Sequence, residues 1–131
     1  MFASASDERA ALMHEVGIAS SILEASLAET ARRPGARLVA IGVRVGVLSG
    51  VDVDALRFAF ECLVAETEEQ NVAFNVEACP RVNRCDLCGH EFDSPSSAPF
   101  TDAPCPRCQS QQTRFVSGDQ LDLKSIEVEE P

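Results

Sequence analysis

Apolar and polar positions follow two different periods in the first part of the chain. Over residues 13–33 apolar side chains recur every three or four positions, which predicts an amphipathic helix that ends at the Pro34-Gly35 pair. Over residues 38–48 apolar residues alternate with small or charged ones, which predicts a strand. The odd-numbered positions from Val39 to Val47 would form a fully apolar face of that strand.

A second helix and a second strand follow the Ser49-Gly50 break. Asp52 or Asp54 can cap a helix over residues 55–66. The residues of this helix that we expect to face the core are Leu56, Phe58, Phe60, Leu63 and Val64. Alternating apolar residues over 72–76 predict the next strand.

Hydrophobic periodicity is absent from residues 79–115, where Pro, Ser, Asp and Cys dominate. Apolar alternation resumes over residues 121–128 and predicts a last strand, which should return to the first sheet because nothing else would cover its apolar face. This order of elements predicts an α+β fold, with two helices packed on a small mixed sheet and a module inserted into it. We expect a main domain of residues 13–84 and 116–131, an inserted module at 85–115, and a disordered N-terminal extension at 1–12.

Composition and charge narrow the class of protein. Apolar residues make up 45% of the 131 residues, which is too many for a disordered chain. The net charge of −10 opposes electrostatic binding to nucleic acids or anionic membranes. No apolar run approaches the roughly 18 to 20 residues that span a bilayer, and residues 1–12 lack the pattern of a secretory signal. We therefore expect a cytoplasmic protein, in which paired cysteines more often bind metal than form disulfides.

Four cysteines form two C-x-x-C knuckles, Cys85 with Cys88 and Cys105 with Cys108. Zinc prefers four tetrahedral thiolates, and a two-residue spacer lets both sulfurs of a knuckle reach one ion. Gly89, directly after the first knuckle, suits the positive φ of such a turn. Two disulfides or redox pairs are the alternatives, but no thioredoxin-like context accompanies the cysteines. The module at 85–115 is thus a predicted zinc ribbon, whose closed ligand shell would be structural.

Charge within the ribbon argues against a nucleic-acid partner. Residues 81–115 contain four basic and four acidic side chains, so their charges cancel. Four thiolates on Zn²⁺ would add two negative charges. Such a surface is poorly suited to binding phosphate.

Two histidines and two further cysteines remain as candidate metal ligands. His90 follows the first knuckle and should be an exposed turn residue. His14 lies near the predicted start of the first helix, where a polar residue without a metal role is the simplest interpretation. Cys62 should be a core residue of the second helix. Cys79, at a strand end, has no evident partner and is a weak candidate for a fifth zinc-site thiol.

Several segments together resemble the HypA/HybF family of nickel metallochaperones for the maturation of nickel–iron hydrogenases. They are Met13-His14-Glu15, the sequence Val-Gly-Val-Leu-Ser-Gly at 45–50, Ala-Leu-Arg-Phe-Ala-Phe at 55–60, the two knuckles, and the closing segment 118–129. The resemblance implies a nickel site at His14 and a structural zinc on the four cysteines. It also implies that Ni(II) is a transient cargo for the large-subunit precursor of a hydrogenase, delivered with a HypB-type GTPase. The sequence has no phosphate-binding G-x-x-x-x-G-K-[ST] motif, so a partner must supply any nucleotide hydrolysis.

The implied nickel site depends on the start of the chain. A histidine beside a free α-amine, with deprotonated backbone amides, can surround Ni²⁺ in a square plane of nitrogens. Met13, Glu15 and Asp52 are candidates for further ligands or for neighbours of the site, although a helix-terminal charge or a cap explains the two acids equally well. Twelve residues precede Met13, so either no amine lies beside His14 or the native chain begins at Met13.

Two functions from different classes follow. The first is a metal carrier, a monomer or homodimer without enzymatic activity, because no nucleophile–base pair can be identified. The alternative is a zinc-ribbon adaptor that binds a protein or nucleic-acid partner without carrying nickel.

Overall fold

Two helices and six strands make up the described part of the chain. The computed structural model describes residues 5–67, 71–95, 98, 100 and 102–131, with the side chains of the first helix described from Met13 onward. In chain order the elements are α1 (Ala5–Ala31), β1 (Arg37–Gly46), α2 (Val53–Ala65), β2 (Ala73–Cys79), β3 (Val82–Cys85), β4 (Glu91–Asp93), β5 (Thr113–Ser117) and β6 (Leu121–Glu129). The strands form two three-stranded sheets, in the orders β2-β1-β6 and β4-β3-β5. The predicted α+β fold is confirmed, and β6 lies beside β1 as expected.

Helix α1 is longer at its N-terminal end than the periodicity predicts. It begins at Ala5, so the expected disordered extension over 1–12 is wrong for residues 5–12, while residues 1–4 lie outside the described part of the chain. Residues 5–12 are mostly good helix formers by residue type. Neither Pro nor Gly separates them from Met13, so the helix continues. No helix in the described ranges combines the length and apolarity needed to cross a membrane.

Helix α2 begins at the predicted cap. Asp52 has an extended backbone, and its Oδ1 accepts the N–H of Ala55 at 3.1 Å. Leu56, Ala59, Phe60 and Val64 are buried on one side of the helix. Phe58 was expected to join them, but it is 56% exposed. It lies two positions from both Leu56 and Phe60, which is about 200° around an α-helix.

Strand β1 supplies most of the sheet's share of the core. Ile41, Val43 and Val45 are buried, as the alternation predicts. Leu38 and Ala40, on the other face, are buried as well, so this part of the strand is covered on both faces. The prediction for Val47 is wrong: it lies beyond the end of β1 and is 38% exposed.

The sheet of the cysteine segment has no counterpart among the predictions. Its central strand is β3, in which Asn83 pairs antiparallel with Phe92 of β4 and with Phe115 of β5. The three strands have only 4, 3 and 5 residues, which is too short for an alternating pattern to be recognised.

The chain divides into two compact units. Unit 1 covers the chain up to Val43, together with Val51–Val76 and Leu123–Pro131, and unit 2 covers Arg44–Gly50 and Glu77–Asp122. Unit 1 contains α2, whose Phe60 ring stacks on that of Phe74 with centroids 4.3 Å apart. The predicted ribbon at 85–115 lies inside unit 2, which extends beyond it on both sides.

Within unit 2, the backbone over residues 46–48 is hydrogen-bonded to both ends of the cysteine segment. The N–H of Val47 donates to the carbonyl of Cys79 at 2.9 Å, and the N–H of Leu48 donates to that of Gly118 at 2.7 Å. The N–H of Gly46 donates to the carbonyl of Gln120, also at 2.7 Å. A Cβ at Gly46 would lie only 2.1 Å from the Gly118 oxygen, so the two backbones approach where a side chain has no room.

Candidate metal sites

The two knuckles have the same local geometry. In the first, the N–H of Cys85 donates to the carbonyl of His90 at 2.9 Å, and the N–H of Gly89 donates to that of Cys85 at 3.0 Å. In the second, Cys105 bonds in the same way to Ser110 at 2.9 Å, and Gln109 bonds to Cys105 at 2.7 Å. The residue after each knuckle has a left-handed φ, 75° at Gly89 and 63° at Gln109. The turn at Gly89 was predicted, whereas Gln109 gave no signal in the sequence.

These turns bring the four sulfurs together. The Sγ atoms all lie within 4.8 Å of one another, with Cys85 and Cys108 3.5 Å apart and Cys88 and Cys105 3.6 Å apart. Four sulfurs at about 2.3 Å from one ion would be about 3.8 Å from each other. The donor set therefore fits a tetrahedral metal ion such as zinc. In the described residues, no other group of three or more His, Cys, Asp or Glu side chains is this close.

The surroundings of the sulfurs lower the pKa of two of the cysteines and raise that of a third. The N–H of Cys88, 3.4 Å from the Cys85 sulfur, is the main reason that the pKa of Cys85 is lowered to about 6. Burial raises the pKa of Cys105, but the N–H groups of Cys108 and Arg107 outweigh it and the net direction is downward. The N–H of Ser110 lowers the pKa of Cys108, yet the contact with the Cys85 sulfur and burial raise it to about 12. One thiolate is thus formed near neutral pH, and the Cys108 thiol can donate to it.

Three of the four basic side chains of residues 81–115 are paired with acids. Arg84 bonds to Glu91, and the Nε of Arg114 lies 3.3 Å from the Oδ1 of Asp86. Arg81 is bonded to Asp102 at 2.7 Å. These guanidinium groups already have carboxylate partners, which agrees with the charge argument against a phosphate-binding surface.

His14 lies within α1 rather than at a helix start. Its side chain is 67% exposed, and its Nδ1 lies 3.2 Å from the Oε1 of Glu15. The Glu15 carboxylate is almost fully buried, and its Oε2 has no hydrogen-bond partner. Met13 is 66% exposed, and Asp52 serves as the cap of α2. The structure pairs His14 with Glu15. Among the described residues, no third His, Cys, Asp or Glu side chain lies close enough to form a three-donor group with them.

The other candidate ligands lie outside the four-sulfur cluster. The ring of His90 is half-buried and stacks on Phe92, with centroids 6.1 Å apart. Cys62 was expected in the core, but it is exposed because it lies on the same side of α2 as Phe58. Cys79 is half-buried, and its sulfur contacts the Glu77 carbonyl at 3.8 Å. It does not belong to the cluster, so it is not a fifth zinc-site thiol here.

Comparison with known proteins identifies a family over most of the chain. The model described as "Hydrogenase/urease nickel incorporation, metallochaperone, hypA" matches residues 13–128. The hydrogenase maturation factor HypA of Pelodictyon phaeoclathratiforme is 35% identical over 118 residues, covering 90% of this chain and 97% of the relative. That of Geobacter metallireducens is 37% identical over 117 residues, covering 89% and 100%.

Solved structures share the fold. The solution structure of the nickel metallochaperone HypA from Helicobacter pylori covers 89% of this chain and 98% of its own, with a TM-score of 0.57 and 19% identity. Another solution structure of a HypA protein covers 88% and 95%, with a TM-score of 0.60 and 21% identity.

Proposed function

The chain belongs to the HypA family of nickel-incorporation metallochaperones for hydrogenase maturation, and from this membership we propose that it binds Ni(II) through His14 and delivers it to the large-subunit precursor of a nickel–iron hydrogenase. The observation that carries the proposal is the pair formed by His14 and Glu15. An exposed imidazole stands beside a buried carboxylate, a combination that orients a metal-binding histidine.

The pair defines which nitrogen is available to the metal. When Nδ1–H of His14 donates to Glu15, the lone pair of Nε2 is free for an ion. A carboxylate bonded to one ring nitrogen in general strengthens the bond of the other nitrogen to a metal ion. Glu15 thus acts in the proposed site by orienting His14.

The side chains of His14 and Glu15 alone do not complete a square-planar nickel shell. The remaining ligands in this proposal are backbone nitrogens at Met13 and His14, with Asp52 as a further candidate. Because the backbone at Met13 is helical, its nitrogen becomes a ligand only if α1 opens there or if the chain starts at Met13. The full chain should therefore bind nickel more weakly than a chain with its amine at Met13.

The cysteine cluster has a separate role in the proposal, which is to hold a structural zinc. Its supporting evidence is the fit of four sulfurs to one tetrahedral ion. With all four positions taken by protein, such an ion stabilises the fold and does not activate water. We accordingly propose a cytoplasmic carrier without catalytic activity, whose GTP-hydrolysing partner is of the HypB type.

Metal binding by matched variants tests the proposal. Purified protein should contain one tightly held zinc and should bind nickel reversibly. His14→Ala should abolish nickel binding without altering zinc content, whereas His90→Ala is the control because His90 is the other histidine of the chain. Nickel binding that is equal in both variants would contradict the assignment of His14. Zinc without any nickel binding would support the adaptor function instead.

A further inference from the structure

Three buried polar side chains lie beside the cysteine cluster, on and around β3. Arg81, Asn83 and Ser94 expose at most 9% of their surface. Residues 81, 83 and 85 are buried while 82 and 84 are not, so Arg81 and Asn83 share a face with the ligand Cys85. Buried polar side chains in proteins are almost always hydrogen-bonded. The partners of these three side chains therefore indicate which segments they connect.

The bonds among these residues form a closed circuit. Nε of Arg81 donates to Oδ1 of Asn83, and Nδ2 of Asn83 donates to Oγ of Ser94, each at 2.8 Å. The backbone N–H of Ser94 donates to the Arg81 carbonyl, also at 2.8 Å, which closes the circuit. Nη2 of Arg81 then donates to Oδ1 of Asp102 at 2.7 Å. Arg81, Asn83, Ser94 and Asp102 are called the Arg81 network below.

The position of Asp102 gives this network a role at the metal site. Arg81 lies four residues before Cys85, and Asp102 lies three residues before Cys105. The Arg81–Asp102 bond therefore joins the segment leading into the first knuckle to the segment leading into the second, without using a sulfur. The Thr113 hydroxyl, which donates to the Ala103 carbonyl at 2.9 Å, ties the second segment to β5 as well.

We propose that Arg81 is a positioning residue for the four-cysteine site: its network holds the two knuckle-bearing segments together whether or not an ion joins them. The inference rests on the zinc site of the proposed function. Sixteen residues separate Cys88 from Cys105, and an ion that had to close this loop would oppose its conformational entropy. A bond between residues 81 and 102 limits that freedom before the ion arrives, so the zinc-free protein captures zinc without refolding.

Removal of the exposed partner tests the network with little risk to folding. The Asp102 side chain is 82% exposed, so Asp102→Ala deletes the Arg81–Asp102 bond while the buried residues stay in place. Glu91→Ala is a matched control, because it removes the acidic partner of Arg84 within the first segment alone. Asp102→Asn keeps an acceptor oxygen, so it should capture zinc at close to the wild-type rate.

Two measurements on zinc-free protein report the result, with the unfolding temperature of the zinc-loaded protein as a check on stability. The first is the rate of zinc capture by stopped flow in competition with a coloured chelator. The second is hydrogen exchange of the amides in β3, β4 and β5. Asp102→Ala should slow zinc capture by about tenfold. This is the lower end of the loss in metal affinity or activity that is typical when a residue supporting metal ligands is substituted. Glu91→Ala should capture zinc at the wild-type rate.

The outcomes separate this inference from the zinc assignment. Equal capture rates in Asp102→Ala and Glu91→Ala would overturn the positioning role, as would unprotected amides in β3–β5 of the zinc-free wild-type protein. If the wild-type chain takes up no zinc at all, the assignment of the metal site itself is overturned, and the positioning role with it. Slower capture in Asp102→Ala, with an unchanged unfolding temperature of the loaded protein, supports positioning.

Discussion

Gly89 and Gln109 occupy the same place in two separate knuckles, each directly after the second cysteine, and both adopt a left-handed backbone. Glycine reaches this conformation freely, whereas a residue with a Cβ is strained in it. The two halves of the cluster therefore differ in backbone strain although their hydrogen bonds correspond.

The strain at Gln109 predicts a strong dependence on residue type. Gln109→Val should destabilise the zinc-bound protein by about 1–2 kcal/mol, because a β-branched residue is poorly tolerated at positive φ. Gln109→Gly should be tolerated. Thermal unfolding in the presence of zinc measures both, and Gln111→Val, at an exposed position with ordinary φ, is the control. An equal loss in the two valine variants would contradict the argument from backbone strain.

Acid should release the metal from the cysteine cluster. A zinc-bound set of thiolates carries no protons, so affinity falls as pH falls, by about tenfold per pH unit for each proton displaced. The pKa of Cys108 is raised to about 12, so its proton must be displaced throughout the neutral range. The pKa of Cys85 is lowered to about 6, so this thiol contributes a further proton only below that pH.

Zinc retained after dialysis against a chelator, measured between pH 4 and pH 8, checks this prediction. Retention should drop more steeply below about pH 6 than above it, in line with the lowered pKa of Cys85. Circular dichroism of the two helices over the same range is the control for general unfolding. A metal content independent of pH would contradict a four-thiolate site.

Removing residues 1–12 should strengthen nickel binding. The deletion frees an amine at Met13 beside His14 and should raise affinity by about tenfold or more, with about 1.4 kcal/mol for each factor of ten. The complex should also shift toward the absorption of square-planar nickel. Nickel titrations of the full-length chain, the truncated chain and the truncated chain with His14→Ala provide the measurement. Identical affinities of the first two chains would refute the amine as a ligand.

Two substitutions at Asp52 separate capping from nickel binding. Asp52→Asn keeps a side-chain oxygen for the N–H of Ala55, so it should leave the free energy of unfolding nearly unchanged. Asp52→Ala removes the cap and should cost about 1 kcal/mol. If Asp52 is also a nickel ligand, both variants should weaken nickel binding. If Asp52→Ala loses stability but both variants bind nickel as the wild type does, Asp52 acts only as a helix cap.

The sequence predicts well those parts of the fold in which a long element has one buried side. β1, α2 and the return of β6 to the sheet follow from periodicity, and the knuckles follow from cysteine spacing. Two errors concern the burial of Phe58 and the start of α1. Phe58 was expected to be buried on hydrophobicity alone, although the helical repeat directs it away from Leu56. The Ala5 start of α1 was missed because no apolar stripe marks residues 5–12.

The candidate sites were predictable to different degrees. The four sulfurs come from local turns, so their identity could be read from spacing. The Arg81–Asp102 bond joins positions 21 residues apart by sequence and has no periodic or motif signal. The burial of Glu15 beside an exposed His14 likewise depends on tertiary packing. Such contacts require coordinates because polar residues in loops do not indicate their partners.

The hydrogen bonds of residues 46–48 determine where the cysteine segment can be cut out for transplantation into another protein. A peptide of residues 77–122 would carry the four sulfurs of the cluster, yet the carbonyls of Cys79, Gly118 and Gln120 would lose their donors. A portable version needs Arg44–Gly50, which comprises the end of β1 and the turn after it, supplied in trans or through a new linker. The glycines at 46 and 118 must be kept, since a Cβ at 46 would meet the backbone of Gly118 and a Cβ at 118 would meet the backbone of Arg81.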